Sequence, residues 1–158
     1  MELSKEQIQN LIREADRART FAYAPYSHFA VGAALLGEIE VCNSCGDRGT
    51  IEHYFTGCNI ENAAFTPGNC AERTAVFKAV SEGGKNFRAI AIVAGAAGTD
   101  GLKQTGYTSP CGVCRQVLRE FVNPKEFLVI MARTQDDYKI MTLDALLPDS
   151  FGPENLTE

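Results

Sequence analysis

The stretch Ala89-Ile90-Ala91-Ile92-Val93-Ala94 is a continuous apolar run with the length of a short strand. Such a run is typical of a strand that is buried on both faces of a sheet. A helix pattern over residues 70–82 precedes it, and another over residues 111–122 follows it after a loop at residues 95–109. Strands that alternate with helices in this way predict an α/β layer sandwich.

Further elements lie on both sides of this unit. Apolar residues recur at helical spacing after Ser4, which matches a capping box with Gln7, and they predict a helix over residues 4–20. A polar loop is predicted at residues 37–50, and a short last helix between Thr142 and Pro148. Short apolar segments predict strands at residues 29–36, 51–58, 127–131 and 138–141.

The composition limits the classes of function. A chain of 158 residues fits one domain, so we predict a single domain over residues 1–158. The net charge of -5 argues against nucleic acid as a partner, because nucleic-acid binding usually leaves a basic surface. No apolar run approaches the roughly 20 residues of a membrane span, and no signal-peptide core is present, so we expect a cytoplasmic protein without a membrane partner. Six cysteines in such a chain favour metal or catalytic roles over disulfides.

The strongest chemical signal is the stretch Pro110-Cys111-Gly112-Val113-Cys114. A CxxC pair at the start of a helix directs both sulfurs to one point, where the first-turn N–H groups favour thiolates. Cys70 begins the other predicted helix, so its sulfur is placed in the same way. Three thiolates with one open position describe a catalytic zinc site, because structural sites usually take all four ligands from protein.

Two charged residues follow Cys70 in its helix. Glu72 lies in the same first turn, and we predict that it transfers protons rather than binding the metal. Three thiolates and one zinc ion sum to a charge of about -1, which would weaken the metal as a Lewis acid. We therefore predict that Arg73 offsets this charge by hydrogen bonding to thiolate sulfur.

Two alternative roles for these cysteines stay open at this point. The CxxC pair could belong to a purely structural zinc site, or it could be a redox pair of the thioredoxin type. A redox role leaves Pro110 and the separate Cys70-Ala71-Glu72 triplet without a purpose.

Taken together, the two cysteine motifs match the signature of zinc deaminases, which is a ligand, any residue and Glu, followed by Pro-Cys-x-x-Cys. The chain resembles cytidine deaminases along nearly its whole length, and the segments that carry the resemblance are residues 26–35, 58–63, 70–83, 109–121, 146–148 and 150–156. The resemblance implies a three-layer α/β/α sandwich around a mixed five-stranded sheet. It also implies a zinc-dependent hydrolase of pyrimidine salvage, which converts cytidine and 2′-deoxycytidine into uridine and 2′-deoxyuridine plus ammonia.

The resemblance further implies a role for each site residue. Glu72 would be the proton shuttle, and one zinc ion per chain would be bound by Cys70, Cys111 and Cys114. The implied substrate contacts are Phe29 against the base, Asn59 and Glu61 at the ribose hydroxyl, the backbone of Ala71 at the pyrimidine amide edge, and Phe151. Phe151 would reach the base from a neighbouring subunit, because the short cytidine deaminases resemble one another in forming homotetramers with shared active sites. Without the zinc motif, these polar residues would be interpreted as turn caps and Phe29 as part of the core.

Two segments depart from the family pattern. Residues 37–54 are longer than the tight hairpin of most relatives and hold a second CxxC, Cys42-Asn43-Ser44-Cys45. We expect an exposed hairpin tip there. The alternatives are oxidation of this pair and a second, structural zinc bound by Cys42, Cys45, His53 and Cys58. The loop at residues 95–108 is also longer than usual and could alter access to the pocket or a subunit contact.

Two other functions compete with a nucleoside deaminase. A deaminase of another target, such as a pyrimidine antibiotic or a base in nucleic acid, would share the zinc motif, but the acidic balance argues against nucleic acid. The other is a zinc-stabilised binding protein without catalysis. Glu72 argues against this one, because a structural site has no use for a carboxylate beside an open position.

Overall fold

The computed structural model describes residues 2–42, 44–99 and 106–156. In chain order, the elements are α1 (Lys5–Arg19), β1 (Phe29–Cys42), β2 (Arg48–Cys58), α2 (Ala71–Ser81), β3 (Lys85–Ala96), α3 (Gly112–Phe121), β4 (Leu128–Ala132), β5 (Tyr138–Thr142), α4 (Leu143–Leu146) and a 3-10 turn at Pro153–Asn155. The helices and strands predicted from the sequence all have counterparts among these elements. The predicted capping box is also present, with Ser4 and Gln7 bonded reciprocally at the start of α1.

The five strands form one sheet in the order β2-β1-β3-β4-β5. β1 is antiparallel to both β2 and β3, β3 is parallel to β4, and β4 is antiparallel to β5. The parallel pair is connected through α3, because parallel neighbours need a crossover connection. The structure therefore confirms the predicted mixed five-stranded sheet.

Helices cover both faces of this sheet. Ile90 and Ile92 of β3 belong to the core cluster under α2 and α3, whereas Ala91 and Val93 belong to the cluster under α1. Successive strand residues point to opposite faces, so an apolar residue at every position is what a strand between two helical layers requires. The architecture is the expected three-layer α/β/α sandwich. Within the described residues, no helix is both long enough and apolar enough to cross a bilayer.

Two glycines set how closely the helices approach the sheet. A Cβ at Gly32 would lie 2.0 Å from the carbonyl oxygen of Ala15 in α1, and one at Gly57 would lie 2.4 Å from the amide nitrogen of Ala75 in α2. Real Cβ atoms do not come this close to backbone, so only glycine fits at either position. Gly57 therefore determines how closely α2, with Cys70 at its start, packs on β2.

The largest departure from the sequence prediction is at residues 37–50, where a polar loop is expected. β1 and β2 instead pair continuously out to Cys42 opposite Arg48. The loop prediction is wrong because Ile39, Val41 and Ile51 alternate with polar residues, which is the pattern of a strand. β3 accompanies β1 only as far as Glu38. The described residues between positions 39 and 51, which we call the arm, therefore extend beyond the rest of the sheet.

The same register argues against the alternative second zinc site within one chain. Cys42 lies opposite Arg48 at the tip of the arm, whereas Cys58 lies opposite Gly32 at the other end of β2. Ten residue steps along a strand span about 33 Å. Two ligand atoms of one zinc ion lie only about 4 Å apart, so these positions are much too distant to share an ion. His53 lies midway between these ends. Four ligands drawn from these positions cannot converge, and Asn43 of the motif lies outside the described residues.

Candidate active site

Two helices begin with a cysteine. Cys70 is the N-cap of α2 and Cys111 is the N-cap of α3, and both have an extended backbone conformation. Neither thiol caps its own helix. Cys114 follows in the first turn of α3 and is fully buried. The helix starts therefore supply sulfurs that are not used in capping.

The three sulfurs converge on one point. The Sγ atoms of Cys70 and Cys111 are 4.0 Å apart, those of Cys111 and Cys114 are 3.5 Å apart, and all three lie within 4.8 Å of one another. Tetrahedral zinc with Zn–S bonds of about 2.3 Å holds its sulfurs about 3.8 Å apart, so the spacing fits a shared zinc ion. Among the residues that the structure describes, this is the one place where three metal-binding side chains meet.

The charge balance around the sulfurs also fits zinc. A hydrogen bond from Cys114, helped by Arg73, lowers the pKa of the Cys70 thiol to about 5. The same contact raises the pKa of Cys114. The guanidinium of Arg73 donates to Cys70 Sγ at 3.6 Å, and within the described residues its buried Nε has no hydrogen-bond partner. A partly buried cation at this place offsets the excess negative charge that three thiolates leave on zinc.

Glu72 provides an acid–base group beside the sulfurs. It is the second residue of α2 and is only 5% exposed. Burial raises the pKa of its carboxyl to about 7, and the negative charge of Cys70 acts in the same direction. A carboxyl group with a pKa near neutrality can both accept and release a proton at physiological pH.

A pocket of about 610 Å³ opens beside the cluster. This volume lies within the range of small-molecule sites. The predicted site residues in its wall are Asn59, Glu61, Cys70, Ala71, Glu72, Arg73 and Cys111. The fold therefore brings the two polar residues that follow β2 to the same cavity as the starts of α2 and α3.

Asn59 and Glu61 are held rigidly in this wall. The Asn59 side chain makes two hydrogen bonds to the backbone of β1, at 2.9 and 2.8 Å. Glu61 accepts hydrogen bonds from the backbone of Tyr26 at 2.9 Å and of Ser27 at 3.3 Å. Hydrogen bonding, chiefly with Ser27, lowers the pKa of Glu61, so the pocket presents an ionised carboxylate. An amide and a carboxylate fixed in this way suit a ligand that carries hydroxyl groups.

Two predicted substrate contacts lie outside the pocket wall of a single chain. Phe29 is 44% exposed at the start of β1, and Val31, two residues further along the same face, lines the pocket instead. Phe151 is 58% exposed on the C-terminal tail, where its carbonyl accepts a hydrogen bond from Gln116 of α3 at 3.0 Å. Both contacts stay predictions.

The tail that carries Phe151 follows a fixed path over α3. Arg119 is buried, donates to Ser150 Oγ at 3.0 Å and forms an ion pair with Glu154. A Cβ at Gly152 would lie 2.3 Å from the Arg119 guanidinium, so a side chain at this position would displace the guanidinium from its present place. Phe151 is consequently held on the outer surface of the chain.

The residues that shape the bend before Cys111 were not predicted from the sequence. Ser109 lines the pocket, and Arg115 donates to Ser109 Oγ at 2.9 Å and to the carbonyl of Pro110 at 2.8 Å. An arginine directly after the CxxC pair is the signal that could have found this support. Residues 100–105 of the preceding loop lie outside the described residues, so its predicted effect on access stays a prediction.

An exposed aromatic residue of the pocket was also missed. Phe65 lines the cavity, is 78% exposed and has a φ of 58°. Its ring meets that of Tyr26 edge-on, with the ring centres 6.3 Å apart. Phe65 lies in an irregular segment, where no hydrophobic period indicates the direction of a side chain.

Comparisons with known proteins agree with this geometry. A family model described as the cytidine and deoxycytidylate deaminase zinc-binding region matches residues 5–131. The cytidine deaminase of Sporosarcina psychrophila is 45% identical over 150 residues, which cover 95% of either chain. A probable cytidine deaminase of Dictyostelium discoideum is 36% identical, with coverage of 98% of this chain and 90% of the relative. The crystal structure of cytidine deaminase from Burkholderia pseudomallei, 40% identical, superposes with a TM-score of 0.70 over 90% of this chain and 97% of that one.

Proposed function

Because the chain belongs to the cytidine and deoxycytidylate deaminase family and is therefore a zinc-dependent hydrolytic deaminase, we propose that it converts cytidine and 2′-deoxycytidine into the corresponding uridines. The observation that carries this proposal is the buried Glu72 beside three converging sulfurs in a pocket of small-molecule size. A role in pyrimidine salvage is consistent with this reaction.

The sulfur cluster is the proposed metal site. Cys70, Cys111 and Cys114 would hold one zinc ion per chain, with three protein ligands as in catalytic zinc sites. When bound there, zinc supplies a water molecule that is acidic enough to attack at neutral pH. Arg73 keeps its hydrogen bond to Cys70 and limits the negative charge at the cluster.

Glu72 is the proposed proton carrier. Its carboxylate takes a proton from the attacking water and gives one to ring N3, which makes C4 of the pyrimidine electrophilic. After the attack at C4, Glu72 takes the remaining proton from the new C4 hydroxyl and delivers it to the amino group; the C4–N bond breaks, the amino group leaves as ammonia, and C4 keeps the oxygen as a carbonyl. The low exposure of Glu72 excludes bulk water, so the protons pass between the carboxylate and the reactants.

The nucleoside is oriented by the opposite wall. One N–H of the Asn59 amide and its oxygen are bonded to β1, which leaves the second N–H for the ribose 3′-hydroxyl. Glu61 accepts a hydrogen bond from the same hydroxyl. The backbone of Ala71, which lines the pocket, would bind the amide edge of the base, because the first N–H groups of a helix have no partner within the helix. Phe29 packs against the ring.

A cytoplasmic homotetramer with shared active sites is the proposed assembly. It is supported by Phe151, which is held firmly on the outer surface and is absent from the pocket wall of its own chain. A phenylalanine in this position can contact a base only in the pocket of another copy. The pI of about 5.1 agrees with a small nucleoside as the substrate rather than a polyanion.

The direct test is the ultraviolet absorbance of cytidine incubated with the zinc-loaded protein. We expect the cytidine band to disappear with the wild type, and Glu72→Gln to lower kcat about 10²- to 10⁴-fold while it keeps its zinc. Metal analysis of both proteins is the control. Turnover by Glu72→Gln at the wild-type rate would contradict the role of Glu72. A zinc-loaded wild type that leaves cytidine and 2′-deoxycytidine unchanged would contradict the assigned substrates.

A further inference from the structure

We propose that the tip of the arm is one half of a second zinc site, which the arm of a second copy of this chain completes. The two ligands from each copy are Cys42 and Cys45, which are both exposed. They lie outside the deaminase pocket and outside the catalytic sulfur cluster. This inference is independent of the proposed reaction.

Both cysteines lie where the arm reverses direction. Cys42 is the last residue of β1, Cys45 lies in the turn, and Gly46 follows it with a φ of 87°. Glycine adopts this left-handed conformation without strain. A C-x-x-C pair is the spacing that structural zinc sites take from one segment.

One arm cannot complete the site. Structural zinc takes four protein ligands, and the tip contributes two sulfurs. Within the described residues, only the Cys70 cluster brings three metal-binding side chains together. His53 and Cys58 are five and ten positions beyond Arg48 along β2, so they cannot reach the tip. Since no third ligand joins Cys42 and Cys45 among the described residues, we infer that another molecule supplies the remaining ligands.

A second copy supplies what is lacking. An identical pair related by a two-fold axis gives four sulfurs, the ligand set of a structural zinc site. Four thiolates and one zinc ion sum to a charge of about -2. Arg48 lies directly opposite Cys42 in the hairpin, so two arms bring two positive charges to the same place. Asp47, which is also exposed, directly precedes Arg48, so the acidic and basic side chains of the joined tips cancel and the zinc site keeps its charge of about -2, which solvent and salt screen.

The shape of the arm allows two tips to meet. The pairing of β1 with β3 ends at Glu38, so the arm extends past the sheet and is not screened by it. Val41 and Ile51 are 39% and 48% exposed on one face of the arm. Contact between two arms would remove part of this apolar surface from water, which favours association.

The test measures the zinc content per chain of the wild type and of cysteine variants. Each protein is purified as the holoenzyme without chelator and is then freed of loosely bound metal. We expect the double variant Cys42→Ser, Cys45→Ser to hold about 0.5 zinc per chain less than the wild type, since two chains share one ion. Its deaminase activity should equal that of the wild type, which separates this site from the catalytic one. Cys58→Ser, a cysteine at the far end of β2, is the matched control and should lose no zinc.

Each other result overturns the proposal. A loss of about one zinc per chain would mean that each arm holds its own ion and that no second copy is needed. Equal zinc content in the wild type and the double variant would mean that the tip binds no zinc. A Cys42–Cys45 disulfide found by peptide mass mapping of the purified protein would assign the pair to redox chemistry instead.

Discussion

The chain contains two CxxC pairs in very different surroundings. Cys111 and Cys114 begin a helix, and a third sulfur from Cys70 lies 4.0 Å from the first of them. Cys42 and Cys45 occupy an exposed turn at the end of an arm, where a single chain assembles no third ligand among the described residues. The spacing of two cysteines therefore specifies a chelating pair, whereas the neighbouring elements decide whether one chain holds a complete site.

The two pairs also differ in their electrostatic surroundings. The pair Cys111 and Cys114 shares its site with Glu72, which is 5% exposed, and with Arg73, which is partly buried. Charges interact more strongly where water is excluded. At the arm tip, solvent and salt screen the charge of Arg48. Substitutions at matched positions of the two sites should therefore have unequal effects.

The largest difference in deaminase activity between the two sites should come from replacing one cysteine in each pair. We expect Cys111→Ser to lose the catalytic zinc and to lower kcat/KM by about 100-fold or more, since even partners behind the ligands contribute 10- to 100-fold. Cys45→Ser should deaminate cytidine at the wild-type rate. Steady-state kinetics with metal analysis of each variant makes the comparison, and equal losses in the two variants would contradict the assignment of the catalytic site.

A smaller difference in kcat is expected between variants of the two arginines. Arg73→Met removes the cation that donates to Cys70, and we expect a 10- to 100-fold fall in kcat with the catalytic zinc retained. Arg48→Met removes the cation beside Cys42 and should leave kcat unchanged. Full activity in Arg73→Met with zinc bound would show that the three thiolates need no offsetting charge.

The smallest effect concerns two glycines of β2. Gly57→Ala places a Cβ 2.4 Å from the backbone of α2, and we expect a loss of about 1–3 kcal/mol in the free energy of unfolding through overpacking. Gly49 lies in the arm with open space around its Cα, so Gly49→Ala should change this quantity by less than about 0.5 kcal/mol. Urea unfolding of both variants at one protein concentration measures these changes in the free energy of unfolding. Similar stabilities would mean that α2 can move away from β2 without cost.

The sequence was sufficient to predict the layered fold because its signals are local. Residues 89–94 are apolar at every position, which requires cover on both faces, and the flanking helices have clear periods. The arm was predicted as a loop because most of its residues are polar, although Ile39, Val41 and Ile51 alternate with polar residues as in a strand. A two-stranded ribbon outside a sheet has a weaker apolar signal than a strand in the interior.

The candidate site could also be predicted only in part: the residues at helix starts could be predicted, and those in irregular segments could not. Cys70, Glu72 and Cys111 are fixed relative to one another by helix starts, so their grouping could be predicted from motifs and is present in the structure. Phe65 and Ser109 line the pocket from irregular segments. In such segments no hydrophobic period of the sequence predicts where a side chain points. The predicted contact of Phe151 needs a second chain, so a single chain cannot test it.

The position of the cluster also has a consequence for folding order. Cys70 and Cys111 are 41 residues apart, and β3 lies between them in the chain. Their sulfurs meet only after β3 has inserted beside β1 and α3 has crossed to the same face as α2. A metal ion held there closes a long loop and so lowers the conformational entropy of chains that are only partly unfolded. Zinc uptake should therefore be a late step in assembly, and once complete it should act as a cross-link between the two halves of the sheet.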